Sequence, residues 1–465
     1  MEADKVLARE QGLTRSLTSR QLTMIGIGGA IGTGLFMGSG IAIAYAGPGV
    51  LVSYVIAGFI ALAVMYSLSE MAVAHPTPGS FGTYAEIYLN PWAGFLVRYS
   101  YWACQVVAIG GEAIAIGTYM TFWLPALPVW MSALAAGILI FAINSRSVAN
   151  FGTVEYWLST IKVSAICAFI LFGLANIFGV GAPATGVTNY LANGGPFPHG
   201  FGGVWMAVIM GVFSFTGIEI IAVTAGEAEK PDQSVPRAMK TMLLRLALFY
   251  FLALSVILAV VPWTLSGATI VTESPFVKVF SNFGLGYAAT VMNFVILSAA
   301  LSSMNTNLYL CTRMIFSLSR SGHAPAALGK VNARGTPLRA AVLSTCGVLI
   351  AAMTAYASRK AYNYLFGIAL FGAILTWLII LATHLQFRRK YSAGKLAQLS
   401  SRAPFSPYLQ WLALLLLGAI LITMGLDTEF WNIAIIVGVP WVVIVSLAYF
   451  VTRRRLLAAP AAKAV

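Results

Sequence analysis

Long apolar stretches joined by short polar segments make up nearly the whole chain. A helix crossing a bilayer needs roughly 20 predominantly apolar residues to traverse a hydrocarbon core about 30 Å thick. On that measure the chain divides into twelve spans, near 21–44, 48–74, 92–121, 128–144, 155–179, 203–226, 238–262, 284–312, 337–356, 361–385, 409–425 and 430–452. Two of them are interrupted. The first carries Gly26-Ile-Gly-Gly-Ala-Ile-Gly-Thr-Gly34 at its centre, and the sixth carries Gly211-Val-Phe-Ser-Phe-Thr-Gly-Ile-Glu219. Glycine is a poor helix former, so each run is expected to loosen the backbone. In lipid an unsatisfied amide or carbonyl costs several kcal/mol, and irregular backbone persists only where it lines a protein-buried or watery cavity. Freed half-helix ends offer amides to an anion and carbonyls to a cation, which suits a zwitterion such as an amino acid.

Interruptions in the first and sixth spans predict an inverted repeat of two five-helix units around one central site. Either run taken singly is also compatible with close packing through small-xxx-small faces. The expected organisation is a polar segment at 1–20, then a transporter core at 21–385 with repeats at about 21–179 and 203–385. Two appended helices within 409–452 and a tail at 453–465 complete it. The stretch 75–91 is too polar to span and too apolar for a free loop, and reads as a short re-entrant or surface element.

Composition narrows the class. Of 465 residues, 59% are hydrophobic and only 9% charged, with mean hydropathy +0.85. Soluble domains carry about a quarter charged residues, so the chain is an all-α, multi-pass membrane protein. A cleavable signal peptide is not expected, since the first apolar stretch is long and follows a charged leader. The net charge of +14 would suit nucleic acid, but its distribution does not. With the N-terminus placed in the cytoplasm, 24 Lys and Arg fall on that side and 3 on the other, with Lys162 inside a span. That asymmetry is the positive-inside pattern, with both termini cytoplasmic and no nucleic-acid partner. Cys104, Cys167, Cys311 and Cys346 lie within spans without paired spacing, and read as small packing residues rather than disulfide or metal ligands.

Charged side chains at membrane depth are costly, so each is paired or functional. Glu70, Glu112, Lys162 and Glu219 stand out. Lys162 is apolar-flanked and lies one to two turns from an interface; it is either a proton carrier or a lysine snorkelling to the surface. Glu112, after Gly110-Gly111, faces the substrate amine, forms a buried pair or serves as a proton site. Glu219 caps or gates the half-helix after the second break, and Glu70 pairs with a base at the interface. In the eighth span, Leu301-Ser-Ser-Met-Asn-Thr-Asn307 can coordinate a cation, receive a lysine ammonium or simply join helices.

Several ordered motifs then carry a resemblance: Leu17-Thr-Ser-Arg-Gln21 leading into Gly-Ala-Ile-Gly-Thr-Gly-Leu-Phe36, Ala46-Gly-Pro48, Gly79-Ser-Phe-Gly-Thr-Tyr84, Phe213-Ser-Phe-Thr-Gly-Ile-Glu219, Gly226-Glu-Ala-Glu-Lys-Pro231 with Pro236-Arg-Ala238, and Leu301-Ser-Ser-Met-Asn305. Over essentially its whole length the chain resembles the bacterial amino acid permeases of the amino acid–polyamine–organocation superfamily. The resemblance implies a leucine-transporter-type fold, with helices 1 and 6 broken, in the bacterial inner membrane. It implies substrate carboxylate binding at Thr33 and Gly34, and amine binding at the carbonyls of Ala30, Phe213, Ser214 and Thr216. Phe215 is placed to close over the substrate. Lys162 would stand where sodium sits in other relatives, with Ser302 and Ser303 as neighbours.

The expected function is secondary transport of an amino acid inward with a proton. Protonated Lys162 would bridge spans 1, 5 and 8, with Glu219 also assigned to proton coupling. Ile109, Glu112, Met304, Asn305 and Leu370 are expected to flank the cavity and set selectivity. That mostly small, apolar lining favours a neutral L-amino acid, while Glu112 keeps a cationic one open. Sodium coupling, exchange and signalling are rival transporter readings. An enzyme would need a nucleophile–base or metal constellation, and no HExxH or GxSxG occurs. No cofactor is expected beyond the coupling proton, and membrane lipids are the surrounding partner.

Overall fold

The structure, a computed structural model, describes residues 2–32, 34–181, 183–266, 275–281, 287–357, 361–428 and 431–458. Thr33, one of the expected substrate contacts, lies outside the described residues, as do Arg359, Lys360 and 459–465 of the tail.

The chain opens with α1 (Glu2–Arg9), an extended strap, and α2 (Ser19–Ala30). α2 starts where the motif Thr18-x-x-Gln21 closes a capping box, each side chain bonding the other residue's backbone amide. It stops at Ala30, and after a bend at Ile31 the backbone resumes as a π-turn, Gly34–Gly38, and α3 (Ser39–Ala46). A Gly47-Pro-Gly49 turn leads to α4 (Val50–Ala74). The polar 75–91 stretch contains a short buried helix, α5 (Ser80–Tyr88), before α6 (Pro91–Met120). α6 is capped by the Asn90 side chain on the Ala93 amide and begins with proline, whose absent amide costs nothing there.

Then follow α7 (Val129–Asn144), α8 (Val148–Phe178), α9 (Gly200–Ser214), α10 (Ile220–Thr224), α11 (Pro231–Val260) and α12 (Pro275–Ser281). α13 (Ala288–Arg320), α14 (Leu338–Ser344), α15 (Cys346–Ala357), α16 (Ala361–Lys390), α17 (Ala393–Ala397), α18 (Tyr408–Leu426) and α19 (Asn432–Ala458) complete the molecule. Among the described residues no strand forms beyond an isolated parallel bridge between Leu17 and Ala228.

Eight helical segments among the described residues are long and apolar enough to cross a membrane, one of them the continuous Gly34–Ala74 stretch. Three shorter apolar helices lie at Val129–Asn144, Gly200–Ser214 and Leu338–Met353. The chain is therefore an all-helical, multi-pass membrane protein. α6 packs along α13, α15 and α16, while α2 sits against α8, α11 and α13. α9 lies against α3 and α4. The two interrupted segments, α2–α3 and α9–α10, thus stand between neighbours that shield their open backbone.

Several boundaries differ from the sequence reading: the seventh span begins at Pro231 rather than 238, and the tenth and twelfth run on to Lys390 and Ala458. The fifth span starts at Val148 rather than 155, because Ser147 caps it with its side chain on the Asn150 amide. The eighth runs on to Arg320 rather than 312. The longer eighth span brings Arg313 and Arg320 into helical register, and the earlier start of the fifth places Glu155 two turns inside its helix rather than at its first residue.

Candidate site at two helix breaks

The two interruptions meet. After Ser214 the backbone turns through residues 215–219, with Gly217 at φ +96, before α10 resumes. A methyl built on Gly217 would stand 2.5 Å from the Gly29 carbonyl oxygen and 3.5 Å from Ala30 Cα, so one break presses directly on the other. Tyr250 of α11 joins them. Its hydroxyl lies 2.9 Å from the Ala30 carbonyl and 2.7 Å from the Ser214 carbonyl, so one proton serves two freed backbone acceptors. Ser214 Oγ donates to Met210 O at 3.0 Å and pairs with the Tyr54 hydroxyl at 2.9 Å. Phe215 is buried edge-on to Tyr250, ring centroids 5.0 Å apart. Phe213 and Thr216 are the half-buried members of the turn, and Thr216 donates to the Phe213 carbonyl at 2.7 Å. Gly34 abuts the Phe213 ring.

Glu219 lies at the start of α10 and is wholly buried. Its carboxylate accepts from the Gly217 amide at 3.1 Å and the Tyr101 hydroxyl at 3.0 Å, with the Trp377 indole at 3.4 Å. It holds the turn shut from the α6 and α16 side.

Beside the first break stands Lys162, fully buried on α8. Its ammonium donates to the Gly28 carbonyl at 2.5 Å, to the Ile31 carbonyl at 2.9 Å and to Ser302 Oγ on α13 at 2.8 Å. All three of its protons are used. The side chain does not snorkel. Ser302 in turn donates to Glu155, a buried carboxylate that also accepts from Asn305 Nδ2 at 3.0 Å and Ser159 Oγ at 3.4 Å. Asn305 Oδ1 is held by Asn144 Nδ2 at 2.7 Å. A carboxylate and an ammonium are thus relayed by one hydroxyl between α8 and α13, in a place where either charge alone would be strongly penalised.

Sequence alone does not single out Glu155. With the span taken to start at 155 it looks like an interfacial carboxylate; the signal for its depth is the Ser147 cap two turns earlier.

Other expected residues fall into place or apart. Ser303 and Glu112 flank the first break, since a methyl on Gly32 would sit 3.1 Å from Ser303 Oγ and 3.4 Å from Glu112 Oε1. Ile109 and Met304 pack together in an apolar cluster with Val106, Ala300 and Leu308. Leu370 belongs to the main core. Glu70, one turn from the end of α4, pairs with two bases, His384 Nε2 at 2.9 Å and Arg388 Nη2 at 2.8 Å, and its side chain is buried within the bundle. The longer α13 brings in a second charged cluster: Arg313 grips Glu227 through two bonds of 2.7 and 3.0 Å, and Tyr309 donates to the same carboxylate at 2.6 Å. Nothing in the local sequence links positions 86 residues apart.

Among the described residues no group of three or more His, Cys, Asp or Glu could hold a metal ion. What the arrangement offers is a polar nucleus inside an apolar bundle, with main-chain acceptors at two helix ends and one buried cation bound to one of them.

The sequence matches the family model described as amino acid permease over residues 21–459. It is 38% identical over 446 residues to the uncharacterized amino acid permease YtnA of Bacillus subtilis, covering 95% of this chain and 96% of that one. It is also 38% identical over 440 residues to the aromatic amino acid transport protein AroP of Escherichia coli K12, covering 94% and 95%. AroP of Salmonella typhimurium LT2 matches at the same identity over 445 residues.

Proposed function

Since the chain belongs to the amino acid permease family, and is a transporter rather than an enzyme, we propose that it carries a neutral L-amino acid into the cytoplasm by proton symport. It works by alternating access between two inverted five-helix repeats. The reading counts twelve membrane helices: the eight long segments, the three shorter apolar ones, and one more from dividing Gly34–Ala74 at its Gly-Pro-Gly turn. The setting is the bacterial inner membrane, with both termini cytoplasmic, an orientation supported by the 24-to-3 split of Lys and Arg it produces.

The single observation that carries the coupling is the seat of Lys162. Its ammonium satisfies two carbonyls freed by the first break and joins α2 to α8 and α13. Protonated, it locks these helices together while Glu155 balances its charge. Deprotonated, it loses its hold on the carbonyls and leaves Glu155 without a cationic partner, an arrangement that needs water and so favours opening. Substrate carboxylate is held at the amides near Thr33 and Gly34, and substrate amine at carbonyls of Ala30, Phe213, Ser214 and Thr216. Ser303 and Glu112 face the same break, and Phe215 shields it. Aromatic members of the neutral class are the first to test, given the name of the AroP relatives.

Purified protein screened by thermal shift against the twenty amino acids identifies the ligand, since a bound substrate raises the melting temperature. Uptake into proteoliposomes then fixes the coupling. Lys162→Ala is expected to retain counterflow exchange and to lose accumulation driven by an imposed proton gradient. Accumulation by Lys162→Ala, or accumulation by the unaltered protein that requires sodium, overturns the proposal.

A further inference from the structure

Away from the helix breaks, a groove of about 850 Å³ opens between α4 and α11. Its walls are apolar, with Phe59, Leu62 and Met65 on one side and Leu248 and Phe251 on the other. Leu248 and Phe251 are also exposed on the outer surface of the bundle, so the groove is open sideways to the membrane. One end reaches Phe215, Tyr54 and Tyr250, the rings packed behind the second break. The other end carries Lys240 and Arg402, both exposed, and none of the lining residues is acidic. Neither base takes part in an ion pair among the described residues.

The charged end is built rather than loose. Ser401 bonds Ser69 of α4 at 2.7 Å, Ser400 donates to the Asp232 carbonyl of α11 at 2.8 Å, and the Ala403 amide donates to Glu70 at 2.9 Å. The loop that presents Arg402 is therefore pinned to both walls.

Dimensions fit one leaflet. From Lys240 to Phe251 α11 rises about 16 Å, close to half of a hydrocarbon core about 30 Å thick. The basic end then lies at headgroup level and Phe215 near the midplane. Two cations at the interface above an apolar, laterally open trough complement an anionic headgroup with an acyl chain beneath it.

We propose that this groove is a specific site for one anionic phospholipid, its phosphate between Lys240 and Arg402 and its acyl chain running to Phe215. The chain end touches the rings beside Tyr250, whose hydroxyl ties the two breaks, so the lipid buttresses the helix break from outside the bundle.

Native mass spectrometry of the full-length protein, equilibrated in detergent with equal amounts of phosphatidylglycerol and phosphatidylcholine, tests this. The unaltered protein is expected to retain phosphatidylglycerol several-fold over phosphatidylcholine. Lys240→Gln/Arg402→Gln should abolish that preference, and Arg237→Gln, exposed on the same helix but outside the groove, should keep it. Ala247→Trp, which fills the trough and leaves both bases, should lower retention of the lipid itself. Equal retention of the two lipids by the unaltered protein overturns the proposal, as does a preference that survives the double substitution. Displacement of the retained lipid by free amino acid would make the groove a substrate portal and would also overturn it.

Discussion

Gly28, whose carbonyl the Lys162 ammonium grips, stands where the α8 neighbours of that lysine leave no room for a side chain. A methyl there would lie 1.8 Å from Ser159 Oγ and 2.6 Å from Glu155 Oε1. Overfilling a packed interior costs about 1–3 kcal/mol, and here the strain falls on the helix pair that carries the lysine. Gly28→Ala is therefore expected to lower the melting temperature and to cut uptake by about ten-fold or more, since about 1.4 kcal/mol is a factor of ten. Ser159→Gly in the same chain removes the closer of the two clashes, leaving that with Glu155, and should restore part of both. A double variant no better than Gly28→Ala alone would show that the glycine matters for another reason. At this scale the sequence makes Lys162 legible, because an ammonium in an apolar run is conspicuous. It leaves Glu155 hidden, because a carboxylate near a span's end looks ordinary until the Ser147 cap is recognised. Ile109 and Met304, expected to flank the cavity, belong to one buried apolar cluster; which neighbours share such a cluster is set by packing between distant helices that the local sequence does not name.

The helix breaks themselves are readable from composition, since a glycine-dense run in an otherwise aliphatic span frees backbone groups that lipid cannot satisfy and only a sheltered cavity can. What the runs do not reveal is that the two breaks lean on one another through Gly29 and Gly217. Gly217 sits at φ +96, where a side chain costs about 1–2 kcal/mol in backbone strain alone, and any Cβ would drive into the Gly29 carbonyl. Gly217→Ala is accordingly expected to push the two segments apart and remove the substrate-dependent thermal shift, while the bundle remains monodisperse on size-exclusion chromatography. A substrate-induced shift equal to that of the unaltered protein would mean the contact is dispensable. The same element scale accounts for the late boundary of α13. Arg313, Ser317 and Arg320 are polar enough to end a membrane span, yet the helix continues because Glu227 and Glu10 supply partners from distant parts of the chain.

Across the whole molecule, the basic face is closed by the chain's own beginning. Arg9 of α1 pairs with Glu86, Arg98 reaches Glu86 at 2.9 Å and Glu10 at 3.6 Å, and Ser317 donates to Glu10 at 2.7 Å. Further along the strap, the amides of Ser16 and Leu17 both donate to the Glu227 carbonyl at 3.0 Å. A cavity of about 510 Å³ remains between the strap and residues 74–78, and His75 forms part of its wall. Burial pulls His75 down from 6.5 to about 4, with Asp4 raising it and Lys395 lowering it, while Nε2 meets the Tyr88 hydroxyl at 2.6 Å. Burial raises Glu86, yet Arg98 and Arg9 outweigh it and hold the carboxyl below its usual range, so it stays ionised near pH 5. The sign follows from His75. The closed face prefers the neutral ring, and an opened face that exposes the ring lets it protonate near 6.5. Closure is at full strength above about pH 6.5 and weakens as pH falls toward 4, by about 2 kcal/mol at pH 5 if opening fully exposes the ring. Ala74→Cys in a cysteine-free background reports this through its rate of modification by a polar thiol reagent. Dividing that rate by the rate in the same protein with His75→Gln cancels the thiol's own titration. The ratio is expected to rise several-fold between pH 7 and pH 5, and a flat ratio would remove His75 from any part in holding this face shut.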